Sequence, residues 1–307
     1  MRIFVWILLV VSMQLVFVGI TYAGAAGKVT ARVIDENGIP IQGAEAEVSF
    51  KFAKAGGIGL DTKAEQGITD KDGLFTAIGQ GMASISLFAK KEGYYMSGRG
   101  YEFKTSTLSI RWEPWNPTIE VVLKKKRNPV PMYSKNNESL KMPLVGKPVG
   151  YDLEKGDWVA PYGIGMISDF IFTFSSVDRA WTDYECGYTL SFTNNKDGLQ
   201  EYSFDADNQS SYKWPFGAPE GGYQSVLQKE RHDTQKTGLV TNAKENTNYL
   251  FRVRTKTDKQ GNIVEALYGK IEGEINVWPG KVRFYYHLNP DGTRNLEEDP
   301  KKNLFKR

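Results

Sequence analysis

The residues that first suggest chemistry are Asp70, Asp72 and Gly73 in "GITDKDGLF", which spell the centre of a calcium-binding loop. Such a loop needs oxygen ligands at its first, third and fifth positions, glycine at the sixth and a bidentate glutamate at the twelfth. With Gly73 at the sixth position, Ile68 falls at the first and Gly79 at the twelfth, and neither side chain carries an oxygen. "DENG" at 35–38 and "NNKDG" at 194–198 fail at the same first ligand, with Val33 and Thr193. All three lie between alternating apolar segments. Glycine tolerates the positive φ of a tight turn, and Asp or Asn bonds its own backbone there, so all three are read as turns.

Other candidates for catalysis are sparse. The chain has two histidines, His232 and His287, far apart and without metal-ligand spacing. His232 sits in a polar stretch and His287 shares a strand face with Arg283 and Tyr285, so both read as surface or structural residues. The single cysteine, Cys186, lies among Tyr184, Tyr188 and Leu190 and reads as a small core side chain. It leaves no intramolecular disulfide, so the fold must rest on hydrophobic cores. Asp169, Asp183, Glu185 and the run Glu297, Glu298, Asp299 could supply a carboxylate pair for glycoside hydrolysis. There is no phosphate-cradling glycine loop and no G-x-S-x-G elbow. The expectation is no catalytic residue, no metal and no cofactor.

Aromatics are the remaining signal. Trp158 with Tyr162, Trp181, Trp214 with Phe216, and Trp278 fall at strand ends or beside Gly/Pro turns. An exposed indole or phenol offers a flat apolar face with a polar edge, which suits the face of a sugar ring. Trp158, Tyr162, Trp181, Trp214 and Phe216 are the candidate binding residues, with ordinary packing the alternative for each tryptophan and "SYKWPFGAPEGGY" having the composition of a binding loop on a rigid scaffold.

The elements that must hold these residues are strands. "AEAEVSFKF" places Ala44, Ala46, Val48, Phe50 and Phe52 on one face and Glu45, Glu47, Ser49 and Lys51 on the other. "FIFTF", "DYECGYTLSF", "YLFRVRT" and "VRFYYHL" alternate in the same way, punctuated by Asp-Gly and Gly turns. No long amphipathic helix is evident after the N-terminal segment. The fold class expected is all-β, with two antiparallel β domains: a transthyretin-like sandwich and a larger, aromatic-rich sandwich or jelly-roll-like domain.

The N-terminal segment reads as a secretory signal. A basic Met1-Arg2, the apolar run 3–20 and the small residues of "TYAGAAG" are its three parts. The expected division is residues 1–23 signal peptide, 24–127 first β domain, 128–131 ("NPVP") proline linker and 132–307 second β domain. Export to a periplasm or the exterior, with no membrane insertion after cleavage, follows from that reading. The net charge of +3 offers no broad field for nucleic acid.

The first domain carries a resemblance. Asp35, Gly38, Pro40, Ile41, Gly43 and Ala44, then Thr69, Asp70, Asp72, Gly73 and Phe75, then Lys91, Gly93 and Tyr94 follow the pattern of the carboxypeptidase regulatory-like, transthyretin-like β-sandwich family. The resemblance covers roughly residues 27–125 and implies a non-catalytic accessory module of an extracytoplasmic protein. The second domain resembles only uncharacterised segments of secreted bacterial proteins, through "GYDLEKGDWVAPYGIGMISDFIF" and "YYHLNPDGTRNLEEDPKKNLF". Together these readings point to a binding protein for an envelope glycan or an extracytoplasmic protein. A carboxylate-based carbohydrate hydrolase or lyase and a structural envelope component assembled through strand edges are the alternatives.

Overall fold

The structure is a computed structural model, and it describes residues 25–54, 58–104, 110–206 and 209–305. The expected signal peptide, residues 1–23, lies outside them. The chain forms two compact units, Met1–Lys90 with Gly98–Val121 and Lys91–Ser97 with Val122–Arg307. Among the described residues the only helix is a 3-10 turn, Pro300–Lys302, and no helix is long and apolar enough to cross a membrane.

The first set of strands is β1 (Ala26–Asp35), β2 (Glu45–Ala53), β3 (Leu60–Ile68), β4 (Leu74–Gln80), β5 (Ser84–Lys90), β6 (Ser97–Glu102) and β7 (Thr118–Leu123). They form a three-stranded sheet, β4-β1-β7, and a four-stranded one, β3-β2-β5-β6. The inward alternation is that of the sequence: Val29, Ala31 and Val33 of β1, Val48 and Phe50 of β2, and Ile85, Leu87 and Ala89 of β5 are buried. Phe52, at the end of β2, emerges into solvent instead.

The turn reading of "TDKDG" is explained by its geometry. Asp70 Oδ1 accepts from Asp72 N and Leu74 N at 2.9 Å each. Gly73 has φ +73°, and a Cβ there would lie 2.4 Å from Val33 O. The carboxylate is spent on the backbone and the glycine on a close approach. Asp35 repeats the device with Asn37 N and Ile39 N.

The second set is β8 (Tyr133–Lys141), β9 (Pro148–Asp152), β10 (Asp157–Trp158), β11 (Phe170–Ala180), β12 (Asp183–Ser191), β13 (Gly198–Ser203), β14 (Val226–Thr234), β15 (Gly238–Thr241), β16 (Thr247–Thr257), β17 (Ile263–Trp278) and β18 (Lys281–Asn289). A six-stranded sheet runs β10-β9-β11-β12-β14-β15 and a five-stranded one β13-β16-β17-β18-β8. Phe170, Phe172 and Phe174, Tyr184, Cys186, Tyr188 and Leu190, and Val282, Phe284, Tyr286 and Leu288 share one core. Its rings meet mostly edge to face, as between Tyr151 and Phe284 at 5.3 Å. Both units are open, antiparallel sheet structures, as the period-two patterns predict.

The outer face of the five-stranded sheet is also covered. Leu250, Ala266, Tyr268 and Leu296 form a second cluster with Tyr212 and Trp214. The segment 128–131 is tied down here: Val130 N donates to Glu297 O and Val130 O accepts from Asp299 N, both at 2.8 Å. Glu297 is fully buried, and its carboxylate accepts from Tyr95 Oη at 2.9 Å, Arg127 N at 3.0 Å and Asn128 N at 2.6 Å.

Candidate functional site

The site begins where the second core stops being apolar. In register, Leu190, Tyr188, Cys186 and Tyr184 of β12 lie opposite Leu227, Lys229, Arg231 and Asp233 of β14. Paired residues project to the same face, so the inward face of β14 changes from leucine to three charged groups. A closed sandwich would carry apolar residues there.

β17 meets these charges. Its pairing with β18 slips between Glu272 and Asn276, where Gly273 takes φ +76°. A bulge re-aims the side chains beside it, and Glu274 reaches Lys229 at 2.7 Å with both side chains nearly dry. Tyr249 Oη and Ile275 N donate to the other carboxylate oxygen. Burial first, then the neighbouring Glu274, holds the Tyr249 phenol far above its ordinary value. Next along, Arg231 Nε donates to Tyr184 Oη at 2.9 Å, and the guanidinium lies 5.4 Å from the centre of the Trp278 ring.

Beyond Arg231 the surface opens into a hollow of about 460 Å³, lined by Asp178, Trp181, Tyr184, Arg231, Asp233 and Trp278 among others. Trp181 sits at the β11–β12 turn and is 94% exposed. The hairpin behind it is fastened by Arg179, which binds Asp183 at 3.2 Å and Glu185 at 2.8 Å. A water-exposed indole on a fastened tip, a second indole stacked on a guanidinium and two nearby carboxylates can grip a ring that has one apolar face and a polar edge.

The other four expected binding residues lie elsewhere. Trp158 is a core residue, edge-on to Tyr151, Phe172 and Phe174, with its Nε1 donating to Lys141 O at 3.0 Å. Trp214 is buried too, stacked on Tyr202 and edge-on to Phe204. Both therefore pack inside the fold and do not offer open stacking faces. Core closure claims the first, and Phe204, Tyr212, Ala218 and Leu296 close over the second. Phe216 is half-buried under the Arg127 guanidinium, 3.7 Å from its ring. Tyr162 is 43% exposed, in the loop after Ala160-Pro161, away from the hollow's lining. Asp178, Arg231 and Asp233 went unrecognised in the sequence; the signal was the run "KERHD", where β14's inward positions turn charged.

Cys186 lies across from Arg231. Burial pushes its thiol up to about 11, with Arg231 opposing. Its thiolate at neutral pH is about two orders of magnitude scarcer than that of an open cysteine. Reaction with an aromatic disulfide reagent is expected to be correspondingly slow in the native protein and fast in denaturant. An open-cysteine rate in the native state would show the inward placement to be wrong.

Two polar clusters contain residues considered for catalysis. His287, expected at the surface or in a structural role, is buried, because the chain after β18 folds back over its face. Its Nδ1 lies 2.5 Å from Glu298 and 3.0 Å from Ser134 Oγ, and Ser134 itself donates to Glu298. Serine and carboxylate share one imidazole nitrogen, so the nucleophile–base–orienter order of a triad is not present. Beside them Lys270 donates to Leu296 O at 2.9 Å and lies 5.5 Å from the Trp214 ring.

Burial pushes the Lys270 ammonium down to about 8 against the pull of Glu298. Between that pH and the ordinary lysine value of about 10.4 the unfolded chain binds more protons, so this group's contribution to stability rises with pH, by roughly 3 kcal/mol. Urea unfolding at about pH 7.5 and about pH 10 is expected to show this rise reduced in Lys270→Met. Equal pH dependence in both proteins would refute it.

Asp169 is engaged in holding a loop. Arg254, at φ +55°, binds its two oxygens at 2.7 and 2.9 Å, reaches Asp152 at 3.4 Å and pairs with Glu154 at 2.9 Å. Asp152 also accepts from the backbone of Glu154, Lys155, Met166 and Ile167. Burial raises the Asp169 carboxyl although Arg254 pulls it down. Among the described residues no group of three or more His, Cys, Asp or Glu could hold a metal ion.

No family model matches the sequence, and no curated protein does. Solved structures give distant likenesses. The 3-chlorocatechol 1,2-dioxygenase of Rhodococcus opacus 1CP is 12% identical over 34% of this chain, with a TM-score of 0.27. The chain spans 61% of that enzyme and 57% of the hydroxyquinol 1,2-dioxygenase of Pseudomonas putida DLL-E4. The shaft pilin SpaA of Lactobacillus rhamnosus GG is 12% identical, over 84% of this chain and 98% of its own, with a TM-score of 0.25. A putative carbohydrate binding protein of Bacteroides uniformis is 10% identical, over 86% of this chain and 96% of its own, at 0.20. The established description of the chain is structural: two antiparallel all-β units, the second carrying an aromatic hollow with a charged floor.

Proposed function

We propose that this chain is an exported, non-catalytic binding protein whose second unit holds a glycan in the Trp181–Trp278 hollow, with the first unit as an accessory module. The supporting observation is the pairing of two indoles with Arg231, Asp178 and Asp233 around one concavity. Sugar C–H faces stack on indole, and hydroxyls bond to carboxylate and guanidinium. Export rests on the basic, apolar and small-residue order of residues 1–26.

The test is tryptophan fluorescence of the protein lacking residues 1–23, titrated with envelope and environmental polysaccharides. Saturable change without shortened products is expected, and Trp181→Ala is expected to weaken binding roughly thirtyfold, the ~2 kcal/mol of an aromatic hot spot. Undiminished binding by Trp181→Ala would place the ligand elsewhere. A second reading, a carbohydrate hydrolase, is favoured by the presence of Asp178 and Asp233 in the same lining, since two convergent carboxylates can cleave a glycosidic bond. Shortened products, lost in Asp178→Asn or Asp233→Asn, would establish it over the first.

A further inference from the structure

The hollow has a neighbour. A second concavity of about 860 Å³ is lined by Lys213, Lys244, Asn246, Asn248, Glu274 and Asn276 among others, and Arg231 lines both. Along β17, Trp278 belongs to the first while Asn276 and Glu274 belong to the second. The two adjoin at the Arg231 side chain, which lines both. Either alone is in the size range of a small-molecule site.

Their linings differ. The first is aromatic, and the second sets the amides of Asn246, Asn248 and Asn276 among charges of both signs, Asp205, Glu245, Glu272 and Glu274 against Lys213, Arg231 and Lys244, so that no single sign dominates. Two of the second's charged groups are already neutralised within the protein: Glu274 by Lys229 at 2.7 Å and Lys244 by Glu201 at 2.7 Å. A pair closed on itself contributes little net field, whereas carboxamides both donate to and accept from hydroxyls.

We infer that the groove takes an extended, uncharged oligosaccharide. One end of it stacks at Trp181 and Trp278, and the chain runs past Arg231 along β17 to the amides of Asn276 and Asn246. This rests on the glycan reading of the first hollow and adds to it the length and charge class of the ligand. The two volumes, about 460 and 860 Å³, together exceed that of a single sugar ring, so successive units are read by different chemistry: stacking first, amide hydrogen bonds after.

The experiment is calorimetric titration of the protein lacking residues 1–23 with β-1,4-linked glucose and N-acetylglucosamine oligomers of about one to six units. Affinity is expected to rise about tenfold or more between two units and four, then level off as the groove fills. Asn276→Ala is expected to remove most of that gain. Asn246→Gly is the second variant, because Asn246 has φ +58° and glycine keeps that backbone without strain. Trp181→Ala is expected to weaken every length alike. Equal affinity for short and long oligomers, with Trp181 still required, overturns the extended groove and leaves the first hollow standing. Failure of every length in both series overturns both readings. Displacement of the bound hexamer by an extended peptide at similar concentration overturns the assignment to a sugar.

Discussion

Arg254→Ala is expected to lower the free energy of unfolding by about 3–5 kcal/mol, the cost of breaking a buried ion pair from one side. The side chains of Asp169 and Asp152 are 0% and 2% exposed. Without the guanidinium, two carboxylates remain in a dry site, and among the described residues Asp169 keeps only Leu153 N as a hydrogen-bond donor, at 2.9 Å. A protein held by about 5–15 kcal/mol loses a large share of its stability by this single change. The backbone provides an internal control. Arg254 occupies left-handed space, so alanine keeps the strain while glycine relieves it, and Arg254→Gly is expected to be about 1 kcal/mol more stable than Arg254→Ala. Urea midpoints of the three proteins measure both quantities. An alanine variant within about 1 kcal/mol of the parent would mean that the acids are not dry.

Lys229→Met is expected to cost a similar amount, about 3–5 kcal/mol, by leaving Glu274 charged beneath β14. The double replacement Lys229→Met with Glu274→Met is expected to recover most of it, because two well-packed apolar chains often match a buried ion pair. The interest lies in what the double variant loses. Glu274 orders the bulge through Ile275 N at 3.0 Å and anchors Lys244 N at 3.1 Å. The apolar version is expected to unfold like the parent yet bind long oligomers more weakly. A double variant as unstable as the single one would show that the bulge needs its carboxylate to fold. One that binds normally would separate the charged floor from ligand recognition.

The fold was readable in outline because period two is a local property. Tyr184, Cys186, Tyr188 and Leu190 announce their common face without any knowledge of their neighbours. Strand order was not readable. β8 pairs with β18 across most of the unit, and β13 with β16, and alternation carries no information about partner. The site fell between these cases. Trp181 stood out as an aromatic in a turn, but Arg231 and Asp233 acquire meaning only once the β12–β14 register turns them inward. The burial of Trp214 and His287 was not readable for the converse reason: what covers them arrives from elsewhere in the chain, including Leu296 and Glu298.

The seven residues Lys91–Ser97 belong to the second unit, although the strand before them and most of the one after belong to the first. Within the second unit Tyr95 stacks on Tyr212 at 4.8 Å and bonds Glu297. The chain thus changes unit three times, after Lys90, Ser97 and Val121. A gene cut once, anywhere near residues 122–131, hands the second unit on without that tyrosine and leaves the first with a foreign insert. Recombination that shuffles whole modules by single breakpoints has no clean place to act here.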